Sequence, residues 1–351
     1  MSFDILNNLD VSNVGAMPPD PAKVKRRLLK KLETEGHYLL SLDNSSTEKQ
    51  NTCPRSAEYY LVHRRERTSS SALIFGGAVH EGLEKYYLGG DQGEVHQVIY
   101  DYFAANPPAF SDYRTADRAC ELLDKYAKNY PIAQEPFQIH VINGKPCVEI
   151  PFRVPMGSRD IDARVPWSEH QIVEDGEQTK DTYIKTIHFM WTGKIDMVIK
   201  DHRGKTWILD HKTTSIAGNT FYSSFTLAQQ MMGYTHAVNS LFSDYIEPCE
   251  GLFLNALICR KPTKTGTGFA FDRQKFPYSP AHLAEWKKDV LSIADGFLNN
   301  LIKGYFPKVT AWCMGKYGVC PYFDVCQLQP DKRNYMLNSD NYAPVTWSPL
   351  D

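Results

Sequence analysis

Residues 189–214, FMWTGKIDMVIK followed by DHRGK and TWILDHKTT, constrain the fold more than any other stretch. Two runs rich in β-branched, apolar and aromatic residues flank a short turn of Asp, Gly and charge, which predicts two strands closed by a tight connection. Strand side chains alternate, so Asp210 and Lys212 share one face while His211 turns to the other. The preceding strand can bring Asp196 alongside them. Two carboxylates and an ammonium among Ile, Val, Leu, Met and Trp are costly to bury unless their charges are compensated. Two readings follow. In one, the face is an exposed edge on which Asp210 and Lys212 pair with each other or with solvent. In the other, the acids hold a hard divalent cation, Mg²⁺ or Mn²⁺, and the lysine adjoins a water that such an ion acidifies.

The chain has 351 residues, 42% hydrophobic and 23% charged, which is ordinary for a globular protein. Its formal net charge is −2, so contact with a polyanion has to come from local basic clusters and not from a global field. No apolar run approaches the roughly 18 residues that span a bilayer, and the N-terminal MSFDILNNLDVSNVGAMPPDP lacks a signal-peptide core. The reading is a cytoplasmic protein with no membrane partner. In a reducing compartment, the eight cysteines are free thiols or metal ligands in preference to disulfides.

In chain order, residues 1–20 read as a loosely held arm and Pro21 to about Leu42 as a helix carrying KVKRRLLKK on a solvated face. Cys53-Pro54-Arg55 opens a further helix, with Tyr59, Tyr60 and Val62 as its packing face and Arg55, Arg64, Arg65 and Arg67 as its charge. Residues 72–88 predict a helix stopped by Gly89 and Gly90, with His80 and Glu84 one above the other. Alone, a helical histidine reads as packed or surface. Helical periodicity runs from Val95 to about Tyr130 around a break at Asn106-Pro107-Pro108, with Cys120 in the core. Strand character begins at Phe137, and a turn at Gly144 leads into CVEIPFRVPM. Glu149 there has two readings, an approach to the acidic hairpin or a place on the strand's wet face. Residues 157–185 are polar and acidic and predict an insertion or long loop. Beyond the hairpin, LAQQMMGYTHAVNSLF predicts a helix with Gln230 and Tyr234 on one face, GLFLNALICRK a strand, and PAHLAEWKKDVLSIADGFLNNLIKG a long helix. The domain boundaries read as 1–45 for the arm and basic helix, 46–328 for one domain, and 329–351 for a tail.

Cys313, Cys320 and Cys326 fall within fourteen residues among Gly, Pro and aromatics. Three thiols so placed suggest a metal site one ligand short. Cys53 is the best fourth, because Cys120, Cys147, Cys249 and Cys259 lie in apolar patterns. Ligand identity does not choose between Zn²⁺ and a [4Fe–4S] cluster.

Taken together, Cys53, GGAVHEGLE around His80, GKID ending at Asp196, DHK from Asp210 to Lys212, QMMGY from Gln230 to Tyr234 and the three C-terminal cysteines occur in a telling order. The chain resembles the PD-(D/E)XK nuclease superfamily, and within it the RecB-like iron–sulfur exonuclease branch of AddB nuclease domains, CRISPR-associated adaptation nucleases and phage relatives. The resemblance implies an α/β, restriction-endonuclease-like core, a central mixed β-sheet flanked by helices, with an Fe–S-stapled C-terminal loop. It implies that His80, Asp196, Asp210 and the carbonyl of His211 hold Mg²⁺ or Mn²⁺, and that Lys212 orients the attacking water. It implies further that Gln230 and Tyr234, with Arg55, position the substrate, and that Cys53, Cys313, Cys320 and Cys326 bind [4Fe–4S], with Zn²⁺ as the alternative. The implied activity is metal-dependent exonuclease action on single-stranded DNA ends, with Tyr59, Tyr60 and Tyr234 lining the strand's path. The alternative is a non-catalytic or partner-dependent DNA-binding factor of recombination or CRISPR adaptation. Two positions depart from the family's pattern: six residues, not two, separate Cys313 from Cys320, and Ile195 stands where the superfamily has Pro.

Overall fold

A computed structural model of the chain describes residues 27–67, 70–108, 112–174, 182–264, 266, 268–315 and 318–345. The elements that build the site are, in order, β1 (Leu29–Lys31), β2 (His37–Leu42), α1 (Asn44–Thr52), α2 (Ser71–Tyr87), α3 (Gln92–Ala105), α4 (Ala116–Asn129), β3 (Val148–Val165), β4 (Thr182–Asp201), β5 (Thr206–Thr214), α5 (Gln229–Leu241), β6 (Cys249–Cys259), β7 (Phe269–Pro277) and α6 (Pro280–Lys303). One nine-stranded sheet runs β7-β6-β5-β4-β2-β1 and on to the short strand Val173–Glu174, while β3 and Phe137–Ile139 also pair with β4. The pairings β5–β6 and β2–β4 are parallel and the others among these are mainly antiparallel, so the sheet is mixed.

The central hairpin forms where the sequence places it. β4 and β5 pair antiparallel with Leu209 opposite Met197. Because both faces of the sheet are covered, consecutive residues enter different cores. Ile208, Leu252 and Leu254 pack with α5 and α6, whereas Leu209, Phe253 and Leu257 pack with α2, α3 and α4. Helices α2 and α3 start on side-chain caps: Ser70 accepts from the Leu73 N–H at α2, and Asp91 forms a capping box with Glu94 at α3. The long helix α6 begins with Ser279-Pro280 and ends at Gly304 in the left-handed region, φ 65°.

Three expectations are corrected, and two further elements, α1 and β7, have no counterpart in the sequence reading. Residues 29–42 are not the end of a basic helix but the antiparallel pair β1–β2, in register Leu29 to Leu40; Tyr38, Leu39, Leu40 and Leu42 are buried in a sheet. The rest of that expected helix, and the arm before it, lie outside the described residues. The polar stretch after Leu42 forms α1, capped by Asp43. Residues 157–165 are no loop: they continue β3 and pair with β4 from Phe189 back to Thr182. Most side chains from Gly157 to Arg164 are exposed, so this ribbon has no dry face and no apolar alternation to announce it. β7 went unread because its charged residues, among them Arg273, pair inside the protein. Finally, residues 329–345 of the expected tail are built into the fold, and 346–351 lie outside the described residues. Tyr342–Pro344 pairs with Arg65–Arg67, and Leu337 packs beside Tyr59 and Tyr322.

Candidate active site

Helix α2 carries His80 to the sheet. An added Cβ at Gly76 would lie 3.2 Å from Thr213 Oγ1, and the absence of a side chain there is what lets α2 come so close to the end of β5. His80 Nδ1 is 3.4 Å from Asp196 Oδ2, and the same oxygen accepts the backbone N–H of His211 at 2.7 Å. Glu149 completes a group whose ligand atoms, with those of His80 and Asp196, all lie within 4.8 Å of one another. Sequence left Glu149 between two readings, and the structure sets it with the acids. Its backbone is in the left-handed region at φ 50°, between the paired residues Val148 and Ile150. That conformation costs a non-glycine residue roughly 1–2 kcal/mol, strain of the kind that accumulates where a side chain must be aimed.

Asp210 stands beside this group and not in it. It is 1% exposed, and Lys212 Nζ lies 2.7 Å from its Oδ2. The angle is poor, so that buried oxygen has an ion-pair partner but no well-directed hydrogen bond. From α5, Gln230 Nε2 donates to Tyr234 Oη at 3.0 Å, and the Tyr234 phenol is raised by burial and by the charges of Asp210 and Asp196. The face that sequence assigned to Asp210 and Lys212 is therefore buried, not an exposed edge.

Crowding of acids sets the ionisation. Burial and the neighbouring Asp196 push Glu149 up to about 7, Lys194 opposing. Burial, opposed by Lys212 and helped by Asp196, takes Asp210 to about 6. For His80, burial works against the imidazolium, but the Asp196 carboxylate outweighs it and raises the group to about 9. Asp196 is held well below the usual range, because the His80 charge overcomes its burial. Three acids and one imidazole cannot all carry their usual charges together in this space, which is the electrostatic condition that a divalent cation relieves.

His211 faces away from the acids, as the strand alternation requires. Arg273 Nε can only donate, and its contact at 3.1 Å identifies Asn255 Oδ1. Asn255 Nδ2 therefore faces His211 Nδ1 at 2.7 Å and donates to it. The ring is neutral, and burial takes it down to about 3. Its contact with the acidic group is made through its backbone N–H.

A profile of the PD-(D/E)XK nuclease superfamily matches residues 44–327. The chain belongs to that superfamily. Its members are nucleases that use divalent metals on DNA, and the mixed sheet flanked by helices is the corresponding core. Among solved structures, the chain is similar to a candidate exonuclease from Eubacterium rectale, 14% identical, with TM-score 0.43, covering 82% of this chain and 89% of that one. It is also similar to SSO0001, 10% identical, with TM-score 0.26, covering 75% and 79%. No curated protein matches. Among the described residues, no helix is long and apolar enough to cross a membrane.

Of the residues expected along the strand's path, the tyrosines are buried and Arg55 is paired at the cysteine end of the protein. Tyr59 and Tyr60 are 2% and 5% exposed, so neither lines a strand's path; Tyr59 packs against Tyr322 near the C-terminal cysteines. Tyr234 is likewise buried at 8% exposed. Arg55 pairs with Glu58 at 2.6 Å and lies over the Tyr305 ring, at the cysteine end of the protein. Cys53, Cys313, Cys320 and Cys326 are free and half-buried, whereas the other four cysteines are buried. Among the described residues, no three of these sulfurs come within 4.8 Å of one another. A tetrahedral zinc with bonds of about 2.3 Å needs sulfurs about 3.8 Å apart, so the thiols as placed do not form a closed zinc site.

Proposed function

We propose that the protein is a metal-dependent DNA exonuclease acting on single-stranded ends. The observation that carries this reading is the convergence of His80, Glu149 and Asp196 within 4.8 Å, beside the buried Asp210–Lys212 pair. Imidazole and carboxylate oxygens suit Mg²⁺ or Mn²⁺, and Asp210 Oδ2, buried without a well-directed hydrogen bond, is an oxygen that an ion can use. The bound ion supplies positive charge against the phosphodiester and makes a nearby water more acidic. Lys212, protonated because Asp210 outweighs the cost of its burial, orients that water and neutralises charge on the attacked phosphate. Gln230 fixes the Tyr234 oxygen by donating to it at 3.0 Å, which holds the buried phenol beside Asp210 and Asp196 as part of the wall of the site.

The same reading gives Cys53, Cys313, Cys320 and Cys326 to a [4Fe–4S] cluster. In its support, burial raises the Cys320 thiol against a backbone hydrogen bond at Tyr322, and Cys326, Cys53 and Cys313 each add to the rise, so Cys320 lies within electrostatic reach of the other three. A four-iron cluster is larger than a single ion and holds its thiolates further apart. Protein purified without oxygen is expected to be brown and to shorten end-labelled single-stranded DNA with Mn²⁺ or Mg²⁺, with activity lost to chelator. Colourless protein would remove the cluster, and digestion undiminished by chelator would remove the ion.

Ion binding is expected to tighten with pH. His80 at about 9 and Glu149 at about 7 must both lose a proton to ligate. Calorimetry in buffers of differing ionisation enthalpy should show proton release between about pH 6 and 9, and a pH-independent affinity for Mn²⁺ would contradict the assignment. The ion-free protein changes the other way. Both groups bind protons more tightly folded than unfolded, against ordinary values of 6.5 and 4.5. The stabilisation from His80 is complete below about 6.5 and lost as pH rises through about 9; that of Glu149 is lost between about 4.5 and 7.

A further inference from the structure

Lys194 lies two residues before Asp196 on β4, and its ammonium is 2.5 Å from Glu149 Oε2. Its side chain is 35% exposed while that of Glu149 is 8% exposed, so the cation sits between solvent and a buried carboxylate. Nothing in the proposed chemistry uses it. Glu149 is the strained, left-handed residue of the group, and its carboxylate has two claimants, the ammonium on one side and the position among His80 and Asp196 on the other. On α2, Glu81 and Glu84 are the other acids within electrostatic reach of Lys194.

We propose that Lys194 is a resident counter-ion: its ammonium neutralises Glu149 while no divalent ion is bound, gives up that carboxylate when the ion arrives, and moves toward Glu81 and Glu84. The inference rests on the ion-site reading above. It makes Lys194 a positioning residue whose charge sets how tightly the ion binds. A +1 charge a few ångströms from a +2 ion opposes it even after solvent screening, and the ammonium must be displaced before Glu149 can ligate.

The test is a titration of the whole protein with Mn²⁺, read by calorimetry and by the rise in melting temperature. Lys194→Met removes the charge and keeps most of the stem; Lys194→Gln is a second, more soluble replacement should the first fold poorly. Both are expected to bind Mn²⁺ about tenfold more tightly than the wild type, and Lys194→Arg to bind as the wild type does. Without ion the neutral variants should melt lower, since Glu149 has lost its partner, and Mn²⁺ should raise their melting temperature by more than it raises that of the wild type. A lysine with a purely structural role would lower stability equally with and without Mn²⁺ and leave the affinity unchanged, and that result overturns the proposal while leaving the ion site standing. Wild-type protein that binds no Mn²⁺ overturns both.

Discussion

Asp196→Asn is expected to lower the rate of DNA cleavage by at least on the order of 10³-fold while leaving the fold intact. One oxygen of Asp196 receives the His211 N–H and faces His80 3.4 Å away, so this carboxylate joins strand β5 to helix α2 at the proposed ion. Asparagine keeps the shape and an oxygen for the His211 N–H, but it loses the charge that suits a hard cation and that holds His80 up at about 9. Two measurements separate the site from the fold. Single-turnover digestion reads the rate, and the titration of the His80 ring by NMR should fall well below about 9, because burial and Lys212 are then opposed by Glu149 alone. Lys212→Ala should cost about 10²- to 10³-fold, as for other preorganised charges at a developing anion, with DNA affinity changed far less. An Asp196→Asn protein that digests DNA at the wild-type rate would place the chemistry elsewhere in the molecule.

The parts of this site that sequence discloses are those fixed by local geometry. Asp210, His211 and Lys212 are consecutive in a strand, so alternation alone puts the outer two on one face and the ring on the other. Asp196 follows from the tight turn, which sets the β4–β5 register. Glu149 is different in kind. It reaches the acids only because β3 lies on the other edge of β4 and bends at a left-handed residue, and neither register nor bend is written in the residues around it. Tyr59 and Tyr60 give no such signal, because an aromatic pair looks alike whether it lines a surface or fills a core. Both are buried, Tyr59 beneath chain ends whose docking no local pattern foretells. The β1–β2 pair was hidden by its lysines. Lys30 and Lys31 are exposed on a strand three residues long, and they look the same as charges on a helix.

The buried network behind His211 leads to the second large expectation, that Arg273→Met destabilises the protein by about 3–5 kcal/mol. Arg273 donates to Glu135 from two nitrogens, at 2.6 and 2.9 Å, and to Tyr126 at 2.8 Å and Asn255 at 3.1 Å, with its guanidinium stacked 3.6 Å over the Tyr130 ring. The side chains of Arg273 and Glu135 are 9% and 3% exposed. Methionine fills the volume but leaves a buried carboxylate whose remaining partner is the Tyr87 hydroxyl at 2.7 Å. Removing both charges, as Arg273→Met with Glu135→Leu, should recover most of the loss, since the cost lies in the orphaned charge and not in the missing pair. Urea unfolding of the two variants decides this, and equal instability would place the loss in packing around Tyr126 and Tyr130. The single variant should also reach the site. Without the Arg273 donor, the Asn255 amide is free to turn its oxygen toward His211 Nδ1, which then needs a proton, so the His211 ring should titrate above about 3. Because the backbone of that same residue donates to Asp196, cleavage is expected to weaken in step with the shift in the ring, and a ring that still titrates near 3 in Arg273→Met would mean that Asn255 holds its orientation without the arginine.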